Sequence, residues 1–319
     1  MNTNSVKSNR RKFLKNLSYG TAALGLYSCV GSNDLINKKV KNTGYIYDKK
    51  MLEHIIYPGH VESPQRLKKI NERIKAEGID KEVIYLTPSE NSIDFIKKVH
   101  SDEHISSIKK IPITGTVAEI STSCVLAASK AVCDGKISNA FCAVRPPGHH
   151  AHSSGSEEGF CYYNNVAIAT RYIQEVFNIK KVLIIDWDYH HGNATQDTFY
   201  KDGSVLFYST HNWHAYPGTG NPALRGEGEG AGFNINVHLD DGANDDDMKR
   251  AWEEKLLPEV ENFQPEFVFI SAGFDSRKND ILGTFNITDD CFAALTKIAL
   301  KIAKTYGKNR LVSLLEGGY

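Results

Sequence analysis

Short, densely apolar runs alternate along the chain with longer segments whose apolar positions recur every three to four residues. The runs at 182–185, 267–271 and 311–315 have almost no polar face, as expected for strands buried on both sides of a parallel sheet. Residues 45–47, 83–86, 140–144, 205–209 and 233–239 read as further strands. After Ser63, a residue type that caps helices, Pro64 takes the first helical position, and Leu67, Ile70 and Ile74 share one face, predicting a helix of about three turns. Helical periodicity also covers 93–99, 117–132, the segment from Asn165 through Phe177, 245–263 and 290–306. Strands alternating with helices predict one α/β domain with a mostly parallel central sheet, helices on both faces, and a binding crevice at the carboxyl ends of the strands.

The polar residues that interrupt this pattern cluster at those ends. The strand at 182–185 stops abruptly in Asp186, Asp188 and His190. In extended backbone, residues i, i+2 and i+4 point to one side, so two carboxylates and an imidazole leave the strand together, a metal-ligand arrangement. The alternative is that the acids cap the next helix and the histidines fill a loop. The strand at 140–144 runs into Arg145-Pro146-Pro147-Gly148-His149-His150, where two prolines and a glycine fix an irregular backbone that can hold adjacent imidazoles in place. The strand at 267–271 is followed by Asp275 and Asp280, and the last strand closes on Glu316-Gly317-Gly318-Tyr319. His149 and His150, then Asp186, Asp188 and His190, then Asp280, then Tyr319 thus follow four separate strands and predict one shared site. The glycine-rich stretch 226–232 lacks the flanking strand and helix of a phosphate cradle.

Composition narrows the function classes. The chain has 38 basic and 38 acidic residues, so no global basic field draws it to nucleic acid. Cysteines 29, 124, 133, 142, 161 and 291 form no CxxC pair and read as small buried hydrophobes. Residues 1–29 differ from the rest. Arg10-Arg11-Lys12-Phe13-Leu14-Lys15 and a short apolar stretch resemble a twin-arginine export signal, and Leu26 to Cys29 resembles a lipoprotein cleavage box. The expectation is an exported, periplasmic or envelope-associated protein that meets the membrane only through this signal or a lipid at Cys29, with 30–43 as a linker.

Six segments, in order, carry a family resemblance: RPPGHHA at 145–151, GFCYYNNVAIA at 159–169, DWDYHHGN at 186–193, YPGTG at 216–220, AGFDSRKNDILG at 272–283 and EGGY at 316–319. Together they resemble the histone deacetylase superfamily, nearest its class II-like bacterial branch and the acetylpolyamine amidohydrolases. The resemblance implies the arginase/deacetylase-like fold over 44–319, without the family's C-terminal helices, and zinc-dependent hydrolysis of acetyl amides. Asp188, His190 and Asp280 match the zinc ligands, and iron(II) suits the same oxygen and imidazole donors. Asp186 matches the group that orients His149. His150 matches the general base and acid, with Asn193 as its partner, and Tyr319 matches the oxyanion donor. Asp186 and Ser209, with backbone carbonyls of Asp188, His190 and Thr210, match a structural potassium site. Gly159, Phe160 and Tyr216 match the substrate channel, and Arg66 matches the lining of the acetate exit.

Asn193 stands where class I members carry aspartate, as in the class II-like pattern. Residues 111–119 hold no aspartate of the sort that clamps a peptide backbone in many relatives. Expected substrates are acetyl-lysine peptides or small acetylated amines such as acetylpolyamines. Glu157 and Glu158 near the channel mouth favour a cationic substrate, although adjacent acids are usually a solvated loop. The competing readings are a non-catalytic metal-containing protein that binds acetyl amides, and an arginase-like dinuclear hydrolase, against which the resemblance supplies ligands for one catalytic metal only.

Overall fold

The computed structural model describes residues 42–88 and 91–319; the expected export signal, Cys29 and nearly all of the linker lie outside the described residues. Eight strands form one sheet: β1 (Thr43–Ile46), β2 (Ile84–Tyr85), β3 (Asn139–Cys142), β4 (Val182–Asp186), β5 (Val205–His211), β6 (Asn234–His238), β7 (Phe267–Ala272) and β8 (Leu311–Leu315). Their order is β2-β1-β3-β8-β7-β4-β5-β6, and every neighbouring pair is parallel. β5 and β6 extend the sheet to one side of β4, while β7 and β8 return on the other. The carboxyl end of β4 therefore lies at a point where the crossovers diverge, the place where open α/β sheets bind ligands.

Alternation along the strands sorts the core into two layers. Val182 and Ile184 join Phe267, Phe269, Val312 and Leu314 in a core shared with the helices Thr114–Cys133 and Asn165–Phe177. Leu183, Ile185 and Tyr208 alternate to the other face. There Tyr208 meets Trp252 edge-on, and Trp252 meets Trp187, which meets Phe292 of the helix Asp289–Tyr306. Burial on both faces explains why most of β4 and β7, buried at every position, read as apolar runs.

Local departures from the sequence pattern have local causes. Ser63 precedes the helix Pro64–Ala76 in extended backbone, but its side chain makes no capping bond. The helix expected over 93–99 closes after Ile93–Ile96. Two short helices had no clear periodicity: Asp102–Lys109, which Ser101 caps by accepting from the His104 N–H, and Asn193–Phe199. The segment 245–263 is helical throughout but widens at Trp252–Leu256, where the Leu257 N–H reaches back to the Trp252 carbonyl. Pro258 has no N–H to give the preceding turn, and the wider turn accommodates that loss.

One buried ion network anchors the loops that will form the site. Arg145 is fully buried; its Nε and Nη2 donate to the two carboxylate oxygens of Glu62, each at 2.7 Å, and its Nη1 donates to the carbonyls of Met51 and His54. Glu62 also accepts from Arg66 Nη1 at 3.2 Å, and Arg66 in turn donates to the carbonyls of Gly318 and Glu316. Burial alone would raise the Glu62 pKa, but hydrogen bonds from His54 and Arg145 hold it well below the usual carboxylate range.

Removing one partner leaves a buried, uncompensated charge. Arg145→Met is expected to lower unfolding free energy by about 3–5 kcal/mol in urea titrations, and Glu62→Gln on that background should recover part of the loss. Because the folded pKa of Glu62 is depressed, its contribution is present above the unfolded value of ~4.3 and is lost as pH falls toward the folded one. Stability measured from pH 6 to pH 3 should therefore fall less steeply in Glu62→Gln than in the wild type.

Candidate active site

Asp186 closes β4, level with Ser209 of β5 and Ser271 of β7. Its Oδ2 accepts from His149 Nδ1 at 3.0 Å, and its Oδ1 accepts from the Asp188 N–H at 3.1 Å. Asp188 repeats the device, its Oδ1 accepting from the His190 N–H at 2.8 Å. Two successive side-chain-to-backbone turns curl the chain beyond the strand. Asp186, Asp188 and His190 therefore do not leave as a simple i, i+2, i+4 set. Asp186 turns to His149, and Asp188 and His190 turn to a third partner.

That partner is Asp275. The ligand atoms of Asp188, His190 and Asp275 all lie within 4.8 Å of one another, with His190 Nδ1 3.1 Å from Asp188 Oδ1 and 2.9 Å from Asp275 Oδ2. The expected third ligand, Asp280, belongs to no such group among the described residues. It is partly exposed; its Oδ1 accepts from the Leu282 and Gly283 N–H groups, and its Oδ2 accepts from the Tyr319 N–H at 2.6 Å. The reason is distance from the sheet. Asp275 follows β7 almost at once and is fully buried, whereas Asp280 lies on the loop's outward course and clasps the backbone of Tyr319.

The donor set fits a divalent cation. Two buried carboxylates and an imidazole converge, and the other carboxylate oxygens are held by backbone: Asp188 Oδ2 by the Gly317 N–H and Asp275 Oδ1 by the Tyr189 N–H, both at 2.8 Å. The cradle has no room for side chains, since a Cβ on Gly273 would lie 1.9 Å from Asp188 Oδ2 and one on Gly317 would lie 2.2 Å from Asp275 Oδ2. Packed this closely, the acids and the imidazole shift one another. Burial and the neighbouring Asp188 push Asp275 up to about 7, and His190, despite burial, is raised to about 11 by the two carboxylates.

The two adjacent imidazoles, with ring centroids 4.0 Å apart, have opposite environments. Burial pulls the His149 pKa down, but Asp186 and Asp188 override it and raise it to about 10. Burial and the charge on His149 push His150 well below the ordinary value. His150 Nδ1 lies 2.7 Å from Asn193 Oδ1. The carboxylates thus favour charge on one imidazole while burial disfavours it on its neighbour, a difference of environment that can assign different proton duties to like groups.

Phe160, Tyr216 and Tyr319 stand around this pair. Tyr216 is edge-on to His150 at 5.2 Å, and Phe160 is edge-on to Tyr319 at 6.1 Å and to His60 at 4.5 Å. Arg66 lies over the Tyr319 ring at 4.8 Å and borders a cavity of about 600 Å³. Ser209, expected at a potassium site, hydrogen-bonds His211 Nδ1 at 2.8 Å, and the buried Thr210 hydroxyl has no protein partner.

Two contributors escaped the sequence pattern. Glu316 is fully buried, its Oε2 accepting from the Gly148 N–H at 2.7 Å and its Oε1 from the Ser271 hydroxyl at 3.1 Å. An acid directly after an apolar strand was its only signal. His60 had none, because a lone histidine in a loop carries no pattern.

A wholly parallel sheet thus carries at its rim a carboxylate–imidazole donor set and an adjacent histidine pair. The histone deacetylase domain profile matches residues 60–319. The chain is 33% identical to a probable deacetylase of Archaeoglobus fulgidus (strain ATCC 49558 / DSM 4304 / JCM 9628 / NBRC 100126 / VC-16) over 87% of this chain and 81% of that one. It is 34% identical to histone deacetylase 5 of Arabidopsis thaliana, over 88% of this chain and 46% of the plant protein. The crystal structure of the HDA15 HD domain superposes with a TM-score of 0.81 at 30% identity, covering 88% of this chain and 85% of that domain. The chain belongs to the histone deacetylase family, a family of metal-dependent deacetylases, and has its arginase-like α/β fold.

Asp275→Ala is expected to lose bound divalent metal, with affinity falling by more than the roughly 10–100-fold that loss of a supporting partner costs. Asp280→Ala should retain stoichiometric metal. Metal analysis of both variants after reconstitution separates the two aspartates.

Proposed function

We propose that the protein hydrolyses acetyl amides, either acetyl-lysine or small acetylated amines such as acetylpolyamines. Its metal ligands in this reading are Asp188, His190 and Asp275. The observation that carries the reading is the convergence of these three donors near the buried His150, with the Tyr216 ring edge-on to it. A divalent cation there, zinc or iron(II), supplies Lewis acidity toward the acetyl carbonyl and water.

The chain's own groups divide the remaining work. His150 carries its proton on Nδ1, given to Asn193, and offers Nε2 to take a proton from water and return it to the departing amine. His149, held by Asp186 at its Nδ1 and facing Asp188, is favoured in its charged form by those carboxylates at the floor of the site. Burial raises the Tyr319 pKa well above its ordinary value, so the phenol stays protonated and can donate to the developing oxyanion. Gly159, Phe160 and Tyr216 are the residues this reading places along the approach to His150, where two aromatic rings suit an aliphatic chain. The register of Asp186 beside Ser209, near Thr210, supports a potassium ion held with carbonyls of Asp188 and His190.

Acetate release from a panel of acetyl-lysine peptides and acetylpolyamines tests the reading. Turnover should vanish with chelator and return with added zinc or iron(II), and Tyr319→Phe should lower kcat by about 10²–10³. Metal-loaded protein that releases no acetate from any member of the panel would sink it.

A further inference from the structure

The turn that carries the channel wall also carries an acid that faces the catalytic pair. Glu158 and Cys161 exchange both backbone hydrogen bonds, at 3.1 and 2.8 Å, and Gly159 and Phe160 between them have φ of 54° and 67°. Two central residues in the left-handed region make a tight reverse turn, and a non-glycine residue held there is typical of functional sites. Gly159 sits so close to His150 that a Cβ would come within 2.3 Å of the ring. The Glu158 side chain, although 37% exposed, therefore starts from a fixed point beside the catalytic pair.

From there it reaches two neighbours. Glu158 Oε1 accepts from Asn193 Nδ2 at 3.1 Å and from the Tyr216 hydroxyl at 3.3 Å. His152 reinforces it: its Nε2 lies 3.0 Å from the same Asn193 nitrogen, and its Nδ1 lies 3.3 Å from Asp197 Oδ2. A carboxylate only accepts hydrogen bonds, so the end of the Asn193 amide that faces Glu158 must be its NH₂ group. The carbonyl end then faces His150 Nδ1 at 2.7 Å, and only a protonated Nδ1 satisfies it. A flipped amide would present N–H to Nδ1 and force the proton onto Nε2, leaving no base.

We propose that Glu158 is a positioning residue that sets the tautomer of His150 through the amide of Asn193, an inference that rests on His150 being the general base. An aspartate at 193 would accept through either oxygen and need no such orientation. The requirement for Glu158 thus follows from the asparagine. The same carboxylate holds Tyr216, so the wall of the slot and the orientation of the base share one anchor.

The test is a double-mutant cycle on the metal-loaded full chain. Glu158→Ala should lower kcat at least about tenfold, a fraction of the roughly 10²–10⁴ that general acid–base catalysis contributes, with metal content little changed and any rise in KM reporting the separate release of Tyr216. Glu158→Gln, which keeps an acceptor, should recover most of the loss. On the Asn193→Asp background, Glu158→Ala should cost nothing or raise kcat, because it removes a neighbouring like charge. An equal loss in both backgrounds, or an unchanged kcat in Glu158→Ala, overturns the proposal. Side-chain ¹⁵N NMR gives a readout that needs no turnover: His150 should be Nδ1-protonated in the wild type and a tautomer mixture in Glu158→Ala. The same tautomer in both proteins also overturns it, whether or not acetyl amides are the substrate.

Discussion

Two aspartates and a histidine, all at or near full burial and within bonding reach of one ion, impose the constraint to which the other features of the site answer. Isolated carboxylates do not stay ionised in a dry interior, and a pair of them is worse. The protein supports them with backbone N–H groups from the Gly317 and Tyr189 peptides and with glycines where any side chain would collide. Those N–H groups come from the chain following β8 and from the turn after β4. The donor cluster is therefore also a device that ties the ends of β4, β7 and β8 together.

The same economy runs through the outer layers. Glu62 links Arg145, at the start of the loop bearing both histidines, to Arg66, which holds the turn before Tyr319. Glu316 receives the Gly148 N–H and so seats the histidine loop from below. Buried acids at both ends of the domain thus hold backbone, and the groups that meet substrate inherit their positions from that framework.

Much of this was legible in the sequence. Densely apolar runs announced β4, β7 and β8 because burial on both faces removes polar residues, and the strand-end rule located the rim. His149, His150, Asp186, Asp188, His190, Asn193 and Tyr319 all come to that rim. What failed was the choice between Asp275 and Asp280, since spacing along a loop does not say where the loop turns back. The turn-driven placement of Asp188 and His190 was equally hidden, because alternation predicts side-chain direction only while the backbone stays extended. Glu316, His60 and the inward course of Glu158 were missed because each is one polar residue whose partner lies far away in the sequence.

The segment from Asp275 to Gly283 has a geometric meaning that neither of its acids shows alone. One end joins the donor cluster of Asp188 and His190, and a few residues later Asp280 grips the peptide of Tyr319. The segment works as a ruler between the donor cluster and Tyr319. Its length, more than the identity of its exposed residues Arg277, Lys278 and Ile281, is what a change in this loop must preserve.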